Sequence, residues 1–571
     1  MINTWIIKTL TDQQKDIQNN LAGELNISPV LAQLLVDRGI TTFEEARSFF
    51  RPDFANLHDP FLMADMDKAI SRLTDAIQDN EKILVYGDYD VDGTTSVSLV
   101  YKFLKRFYTN VDFYIPDRYN EGYGISIQGI DFAEKQGVKL VIALDCGIKA
   151  IEKIKYANEK NIDFIICDHH TADAELPDAV AVLDPKRPDC NYPYKDLSGC
   201  GVGFKLLQAF AQVNNIPFSE LSNLLDLVAL SIASDIVPIT GENRILAYYG
   251  LKQINSNPSV GVKGILTVCG LADKEINITD IVFKIGPRIN ASGRMKLASE
   301  AVELLVTSDI NFAKEKSDTI NEYNNDRKDL DKNITEEAIK HIAADESYLK
   351  RKSIVVYKPD WHKGVIGIVA SRLAEEYYKP SIVLTKSNGL ASGSARSVPG
   401  FDVYNAIDSC RDLLENFGGH RYAAGLSMKE EHVEEFTRRL EKFISENITE
   451  EQTYPQIDID AEIGFKDITP KFFSVLKQFG PFGPGNMKPV FITRKVLDYG
   501  SSRLVGKVQE HLKLELVDSS SENVMNGIAF GMYEFNDHLK SLKPLDICYT
   551  LEENTFNGNT SIQLMIKDIK V

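Results

Sequence analysis

No CxxC pair occurs among the seven cysteines of the 571-residue chain, and their number is odd. A disulfide-stapled scaffold is excluded, and the reduced thiols of a cytoplasmic protein are expected. No apolar run approaches the roughly 20 residues of a membrane span. The opening MINTWIIKTLTDQQKD lacks a basic stretch followed by a long apolar core, so it does not read as a secretory signal. Basic residues are in the minority, 64 Lys and Arg against 82 Asp and Glu, for a net charge of −18. That excludes a generally basic nucleic-acid coat and leaves room for a local basic channel. What is present is ordinary globular material, 43% hydrophobic and 26% charged. At about 150 residues per domain it suffices for three or four domains with real cores.

Residues 1–75 read as a helical segment, in which Thr41 and Thr42 ahead of Glu44 and Glu45 resemble a capping box. From Glu81 the pattern changes. KILVYGD, VDFYIPD, KLVIALDCG, DFIICDHH and AVAVLDP are apolar runs of strand length, separated by helical patterns such as ISIQGIDFAEKQ and KAIEKIKYANEK. Strands alternating with helices predict an α/β domain built on a doubly wound parallel sheet, over 76–310. No Gly or Pro falls between Arg294 and Lys358, and the charged stretch there predicts a long connecting helix over 311–350, with room for one break near Asn333. A second α/β domain is expected over 351–450. Short strands with polar turns over 455–571 predict a small closed barrel of OB type.

Four acidic clusters sit where strands or helices end: Gly87-Asp88-Tyr89-Asp90-Val91-Asp92-Gly93, Asp145, Asp168-His169-His170, and Asp235. In a doubly wound sheet the ligand crevice lies at the carboxyl ends of the strands, so residues remote in sequence converge there. Carboxylates converging without a cation repel and raise each other's pKa. Asp with His suits Mn²⁺ or Mg²⁺ better than a structural zinc. The Asp88-x-Asp90-x-Asp92-Gly93 run also opens like an EF-hand loop, but its twelfth position is Leu99 where a bidentate Glu is needed. Two metals bridged by carboxylates form a clamp for in-line displacement at phosphorus. Candidate ligands are Asp90, Asp92, Asp145, His169 and Asp235, with Asp88 either a ligand or one step removed. Asp92 or Asp145 is the candidate bridge, and His170 either orients a ligand or protonates the leaving oxygen.

These residues resemble a known family. GDYDVDG, DCG and DHH, with the later Asp235, look like the DHH phosphoesterase superfamily. Gly418-Gly419-His420-Arg421-Tyr422-Ala423-Ala424-Gly425 looks like the GGHxxAAG signature of its associated DHHA1 domain. PDRYNEGYG, KIGPRINASGRM, WHKGVIGIVASRLAE, SGSARSVPGFDVYNAI and FGPFGPGN are, taken together, similar to the bacterial RecJ exonucleases. The resemblance implies hydrolysis of single-stranded DNA from its 5′ end to 5′-mononucleotides, with two Mn²⁺ or Mg²⁺ ions, in cytoplasmic DNA repair and recombination. It implies metal binding by Asp90, Asp92, Asp145, His169 and Asp235, with His170 at the active centre. Arg118, Ser394 and Arg396 match the family's 5′-phosphate site, and Arg288 matches an arginine near the entrance of the DNA path. A single-strand-binding protein and a RecQ-like helicase are the implied partners, and no membrane is. Beside that resemblance the residues speak for themselves. Arginines grip phosphate with a planar fork, and Gly418, Gly419 and His420 suit contact with a nucleotide through backbone N–H groups and imidazole. Trp361 reads either as a core residue at a turn or as a base-stacking one. Two rival functions remain at this level: a DHH-type phosphatase or oligoribonuclease on small substrates, and an inactive strand-binding scaffold.

Overall fold

The computed structural model describes residues 3–556 and 558–571. Strand β1 (Thr4–Ile7) is followed by helices Asp12–Leu25, Pro29–Val36 and Phe43–Phe50. Thr11, Ser28 and Thr42 cap these helices by accepting from backbone N–H groups, and Thr42 with Glu45 forms a reciprocal capping box.

The first sheet contains β2 (Lys82–Gly87), β3 (Val111–Tyr114), β4 (Val138–Leu144), β5 (Asp163–Cys167) and β6 (Ala181–Leu183). Their order is β3-β2-β4-β5-β6, and every pairing is parallel. Successive side chains on these strands enter opposite cores. Ile83, Val85, Leu140 and Ile142 pack under helices Met66–Gln78, Val91–Leu104 and Gly199–Val213. Leu84, Tyr86, Val141 and Ala143 pack under helices Ile127–Lys135 and Ile151–Glu159. Burial on both faces is why these strands read as unbroken apolar runs. At the carboxyl edge the strands run directly into aspartates: Asp88 after β2, Asp145 after β4, Asp168 after β5 and Asp184 after β6.

Helix Ile310–Ala343 is continuous over 34 residues, roughly 50 Å long. The break near Asn333 allowed by the sequence does not occur. Nothing there interrupts the hydrogen-bond ladder, and the buried stripe Asp331, Ile334, Ala338 and Ile342 runs past it at helical spacing. Its first half packs into the core of the first domain and its second half under the next sheet, so one rigid element spans both. That sheet, β7 (Ile354–Tyr357), β8 (Ser381–Ser387), β9 (Leu390–Arg396), β10 (Leu414–His420) and β11 (Ala423–Met428), has the order β10-β11-β9-β8-β7. Trp361 is a core residue, 6% exposed, with its indole N–H donated to Glu337 Oε2 of the long helix at 2.8 Å.

The remaining strands are β12 (Gln456–Ile459), β13 (Ala461–Glu462), β14 (Phe491–Asp498), β15 (Arg503–Val505), β16 (His511–Asp518), β17 (Ser521–Ala529), β18 (Leu545–Phe556) and β19 (Asn559–Lys570). The circuit β14-β18-β19-β17-β16 closes through pairing of β16 with β14, which makes a five-stranded barrel. The N-terminal helices belong to this barrel's core: Leu21, Leu31, Leu34 and Leu35 share one cluster with Phe465, Phe479, Leu512 and Tyr549. Strand β1 pairs in parallel with β12, and the Trp5 indole donates to Asp568 at 2.7 Å. The two ends of the chain thus form a single lobe.

That shared core makes a prediction. Leu34 is fully buried, so Leu34→Ala should cost about 2–5 kcal/mol and should shift the transition of the barrel itself. Only two tryptophans exist, so a Trp361→Phe background leaves Trp5 as the reporter in urea unfolding. An unmoved Trp5 transition would separate the N-terminal helices from the barrel.

Candidate active site

Strand ends and helix starts set each side chain. Asp88 leaves β2; its Oδ1 accepts from the Gly124 N–H at 3.3 Å, and its buried Oδ2 has no hydrogen-bond partner. Asp90 caps helix Val91–Leu104 by accepting from the Gly93 N–H at 3.0 Å. Asp92, in the first turn of that helix, is held by the start of helix Gly199–Val213. Its Oδ2 accepts from the Gly199 N–H at 2.7 Å, and its Oδ1 from the Cys200 N–H at 2.8 Å and the Ser231 hydroxyl at 2.7 Å. Asp145 stands in the left-handed region at φ 58°, which turns its carboxylate off the end of β4. There is no space beside it for a side chain at Gly199, where a Cβ would lie 2.6 Å from the Asp145 Cβ and 2.8 Å from its Oδ1.

His169 gathers the group. Its Nδ1–H donates to the Leu197 carbonyl at 3.1 Å, which leaves Nε2 as a bare lone pair. That nitrogen lies 3.1 Å from Asp145 Oδ1, 3.6 Å from Asp235 Oδ2 and 3.8 Å from Asp92 Oδ2. Burial pulls the His169 pKa down, to about 4, so the ring is neutral. Burial and then neighbouring carboxylates push Asp88 and Asp145 far up, raise Asp90, and bring Asp235 to about 8. Asp235 sits at the C-terminal end of helix Leu225–Ser234.

His170 behaves differently. Burial opposes its charge, but the Asp168 Oδ1 that accepts from its Nδ1 at 2.7 Å wins, and its pKa rises to about 9. Asp168 is held in turn: burial raises it, yet His170 and the Ile148 N–H (2.9 Å to Oδ2) outweigh that and bring it to about 2. The Tyr123 hydroxyl lies 3.3 Å from His170 Nε2. From the second sheet the His420 ring stacks on His170, centroids 6.1 Å apart with 10° between planes. Gly419, at φ 148°, brings this hairpin so tight that a Cβ would lie 2.3 Å from the Ala423 carbonyl oxygen. Gly418 has nothing within 4 Å of where a Cβ would stand.

Two groups of side chains that could hold an ion emerge, each with its donor atoms within 4.8 Å of one another: Asp145 with His169 and His170, and Asp92 with His169 and Asp235. Asp88 and Asp90 lie on the adjoining loop and join neither group among the described residues. A basic group faces the same crevice. Arg396 donates to Ser394 Oγ at 2.9 Å, and the Arg118 guanidinium lies 4.7 Å from the centre of the Tyr89 ring. Arg294 joins them: burial, then the charges of Arg118, Arg327 and Arg396, lower its pKa to about 9. No carboxylate pairs with Arg118, Arg294 or Arg396 among the described residues. Arg288 is held differently, against the long helix, by Asn321 Oδ1 at 2.9 Å and the Lys284 carbonyl at 2.7 Å. Sequence reasoning missed the Ser198–Cys200 helix start, Ser231, Tyr123 and Arg294. The first had a readable signal, a serine N-cap followed by Gly199 and Gly201 that open a helix tightly against its neighbours.

Family models match three stretches: the DHH family, N-terminal domain, over residues 82–232; the DHHA1 domain over 350–446; and the RecJ OB domain over 459–568. The chain is 38% identical over 560 residues to the single-stranded-DNA-specific exonuclease RecJ of Bacillus subtilis, covering 98% of this chain and 70% of that protein. It is 34% identical to the protein of the same name from Haemophilus influenzae, covering 90% and 91%. The crystal structure of RecJ in complex with Mn²⁺ from Thermus thermophilus superposes with a TM-score of 0.85 at 25% identity, covering 100% of this chain and 79% of that one. A structure of exonuclease RecJ bound to manganese gives 0.60 at 29% identity, covering 70% and 97%.

The His170–Asp168 pair is testable by itself. In metal-free Asp168→Asn the hydrogen-bonded carboxylate is gone and burial opposes the charge with only the more distant Asp235 and Asp92 against it, so the His170 pKa should fall well below about 9. Histidine NMR titration reads this directly. An unshifted resonance would mean that Asp168 does not hold the proton on His170.

Proposed function

The chain belongs to the RecJ family of single-stranded-DNA-specific exonucleases, and on that footing we propose that it removes nucleotides from the 5′ end of single-stranded DNA, one 5′-mononucleotide at a time. It is a metal-dependent nuclease of DNA repair, and Mn²⁺ or Mg²⁺ is its cofactor. The single observation that carries the site assignment is the His169 Nε2 lone pair surrounded by Asp145, Asp235 and Asp92 within 3.8 Å. Buried donor atoms without hydrogen-bond partners, Asp88 Oδ2, Asp145 Oδ1 and His169 Nε2, suit a divalent cation. We assign Asp90, Asp92, Asp145, His169 and Asp235 to two such ions, with Asp88 beside them. When bound, the ions supply an activated water and charge neutralisation for in-line displacement at phosphorus.

The protein's own groups do the rest. His170, kept protonated by Asp168, presents a proton toward the leaving oxygen and holds it at ordinary pH. Gly418, Gly419 and His420 close over His170 from the second domain and hold the nucleotide being released. Polarity comes from the other end of the crevice. Ser394, Arg396 and Arg118 grip a terminal 5′ phosphate, and the unpaired guanidinium charge there suits a dianion. Arg288 guides the strand at the mouth. The barrel adds a platform for the strand downstream. Among the described residues no helix is long and apolar enough to cross a membrane, and we place the protein in the cytoplasm. A single-strand-binding protein and a RecQ-like helicase belong to this reading as suppliers of the strand.

The test compares 5′-phosphorylated with 5′-hydroxyl strands at one fixed salt concentration, since salt alone shifts phosphate affinity. A charged hydrogen bond contributes roughly 1.5–3 kcal/mol, so Arg396→Ala should lower the kcat/KM preference for the phosphorylated end by about one to two orders of magnitude. Lys at 396 should recover part of it, because a point charge lacks the two-pronged grip. An unchanged ratio in both Arg396→Ala and Arg118→Ala would remove the phosphate pocket from the account of polarity.

A further inference from the structure

The residue after Asp235 is under strain. Ile236 has φ 59°, a left-handed conformation that a β-branched side chain rarely adopts and that is unfavourable unless the surroundings hold it. Its own side chain does not hold it there, being 60% exposed. The residues that follow are held from outside the domain. The Ile239 N–H donates to the Pro484 carbonyl at 2.7 Å. Gly483 lies flat on Ile239, so that a Cβ there would be 2.6 Å from Ile239 Cγ1. At Gly485 a Cβ would be 3.0 Å from Thr240 Cγ2 and 3.4 Å from Pro238 Cβ. Residues 479–486, which lead into the barrel, are therefore seated on 237–240.

Two side chains hold this loop in shape. Asn486, 1% exposed, donates to the Phe479 and Pro481 carbonyls at 2.8 Å each and accepts from Arg38 Nε at 2.7 Å. Arg244 reaches the loop from helix Gly241–Ser256, the helix that follows the 237–240 segment. Its guanidinium donates to the carbonyls of Phe479 at 2.8 Å, Gly480 at 2.9 Å and Phe49 at 3.0 Å, and lies 3.8 Å from the centre of the Phe49 ring. No carboxylate pairs with it among the described residues. A buried cation that spends its donors on carbonyls from two ends of the chain is costly to form and, once formed, specific for one arrangement.

We propose that the 479–486 loop is a positioning element for Asp235: by seating Ile239 it maintains the strained turn at Ile236, so the metal cluster is complete only when the lobe built from the two chain ends is docked. Released from the loop, Ile236 relaxes out of the left-handed region, the peptide after Asp235 turns, and the carboxylate moves off the His169 nitrogen. The inference rests on the assignment of Asp235 as a metal ligand.

The experiment uses the full-length protein and titrates Mn²⁺ against thermal unfolding, alongside kcat and KM for a single strand. Gly483→Ala crowds Ile239. Residues that orient a ligand are worth about 10–100-fold in metal affinity, so the Mn²⁺ concentration for half-maximal stabilisation should rise by about tenfold or more. The strand KM should stay constant, and adding Ile239→Ala should restore most of the affinity by removing the obstructed branch. Asn486→Ala, which loosens the loop instead of crowding it, should move the Mn²⁺ midpoint in the same direction, and it decides the matter if Gly483→Ala does not fold. Asp235→Asn separates the two layers. An unchanged midpoint in Asp235→Asn defeats the ligand assignment. A raised midpoint in Asp235→Asn, with Gly483→Ala and Asn486→Ala lowering only the metal-free melting temperature, overturns the positioning role.

Discussion

A bare imidazole nitrogen held within 3.8 Å of three carboxylates is the constraint around which the first domain is arranged. The Leu197 carbonyl takes the other ring proton of His169. The lone pair therefore has to point into the acidic group, where it repels oxygens that repel one another. Only positive charge makes that arrangement favourable. Burial first, and then this same repulsion, raises the pKa of Asp145 and brings that of Asp235 to about 8. Folding alone does not favour this geometry. The sheet, the helix starts and the second domain hold it in place.

Each support is local and physical. Adjacent parallel strands end level with one another, so Asp88, Asp145 and Asp168 emerge side by side. The start of helix Gly199–Val213 fixes Asp92 with two N–H groups, and its first residue must be glycine because Asp145 fills the space beside it. The long helix, packed into both the first core and the second, sets the distance at which the His420 hairpin meets His170. Ligand and acid roles are separated by environment. Burial with only a carbonyl as hydrogen-bond acceptor makes His169 neutral, while the bond to the Asp168 carboxylate overcomes burial and makes His170 cationic, although the two are neighbours in sequence.

Much of this was legible in the residues. Apolar runs ending in Asp and alternating with helical patterns announced a parallel sheet with its crevice at the strand ends, because strands such as ILVY and LVIAL are buried on both faces. The absence of Gly and Pro after Arg294 announced the long helix. The DHH and GGH stretches pointed to metal and nucleotide chemistry. What stayed hidden were contacts that pattern does not encode. Nothing in the first fifty residues signals that their apolar face is completed by Phe465 and Tyr549 from the far end of the chain. Arg294 looked like one more arginine in a motif, and only its convergence with Arg118 and Arg396 marks it out. The break near Asn333 that the sequence left open is one that an uninterrupted hydrogen-bond ladder does not allow.

The acidic cluster should be strained without a cation and relieved by one. Asp145→Asn is the sharpest probe, since Asn keeps the shape and tolerates the left-handed backbone at this position while removing a carboxyl that must either repel its neighbours or stay protonated. Thermal unfolding of the metal-free and Mn²⁺-saturated proteins, wild type and variant, is the measurement. The expected result is that metal-free Asp145→Asn melts above metal-free wild type, and that Mn²⁺ raises the wild-type midpoint strongly and the variant's little. Equal metal-free midpoints together with equal Mn²⁺ shifts would contradict it.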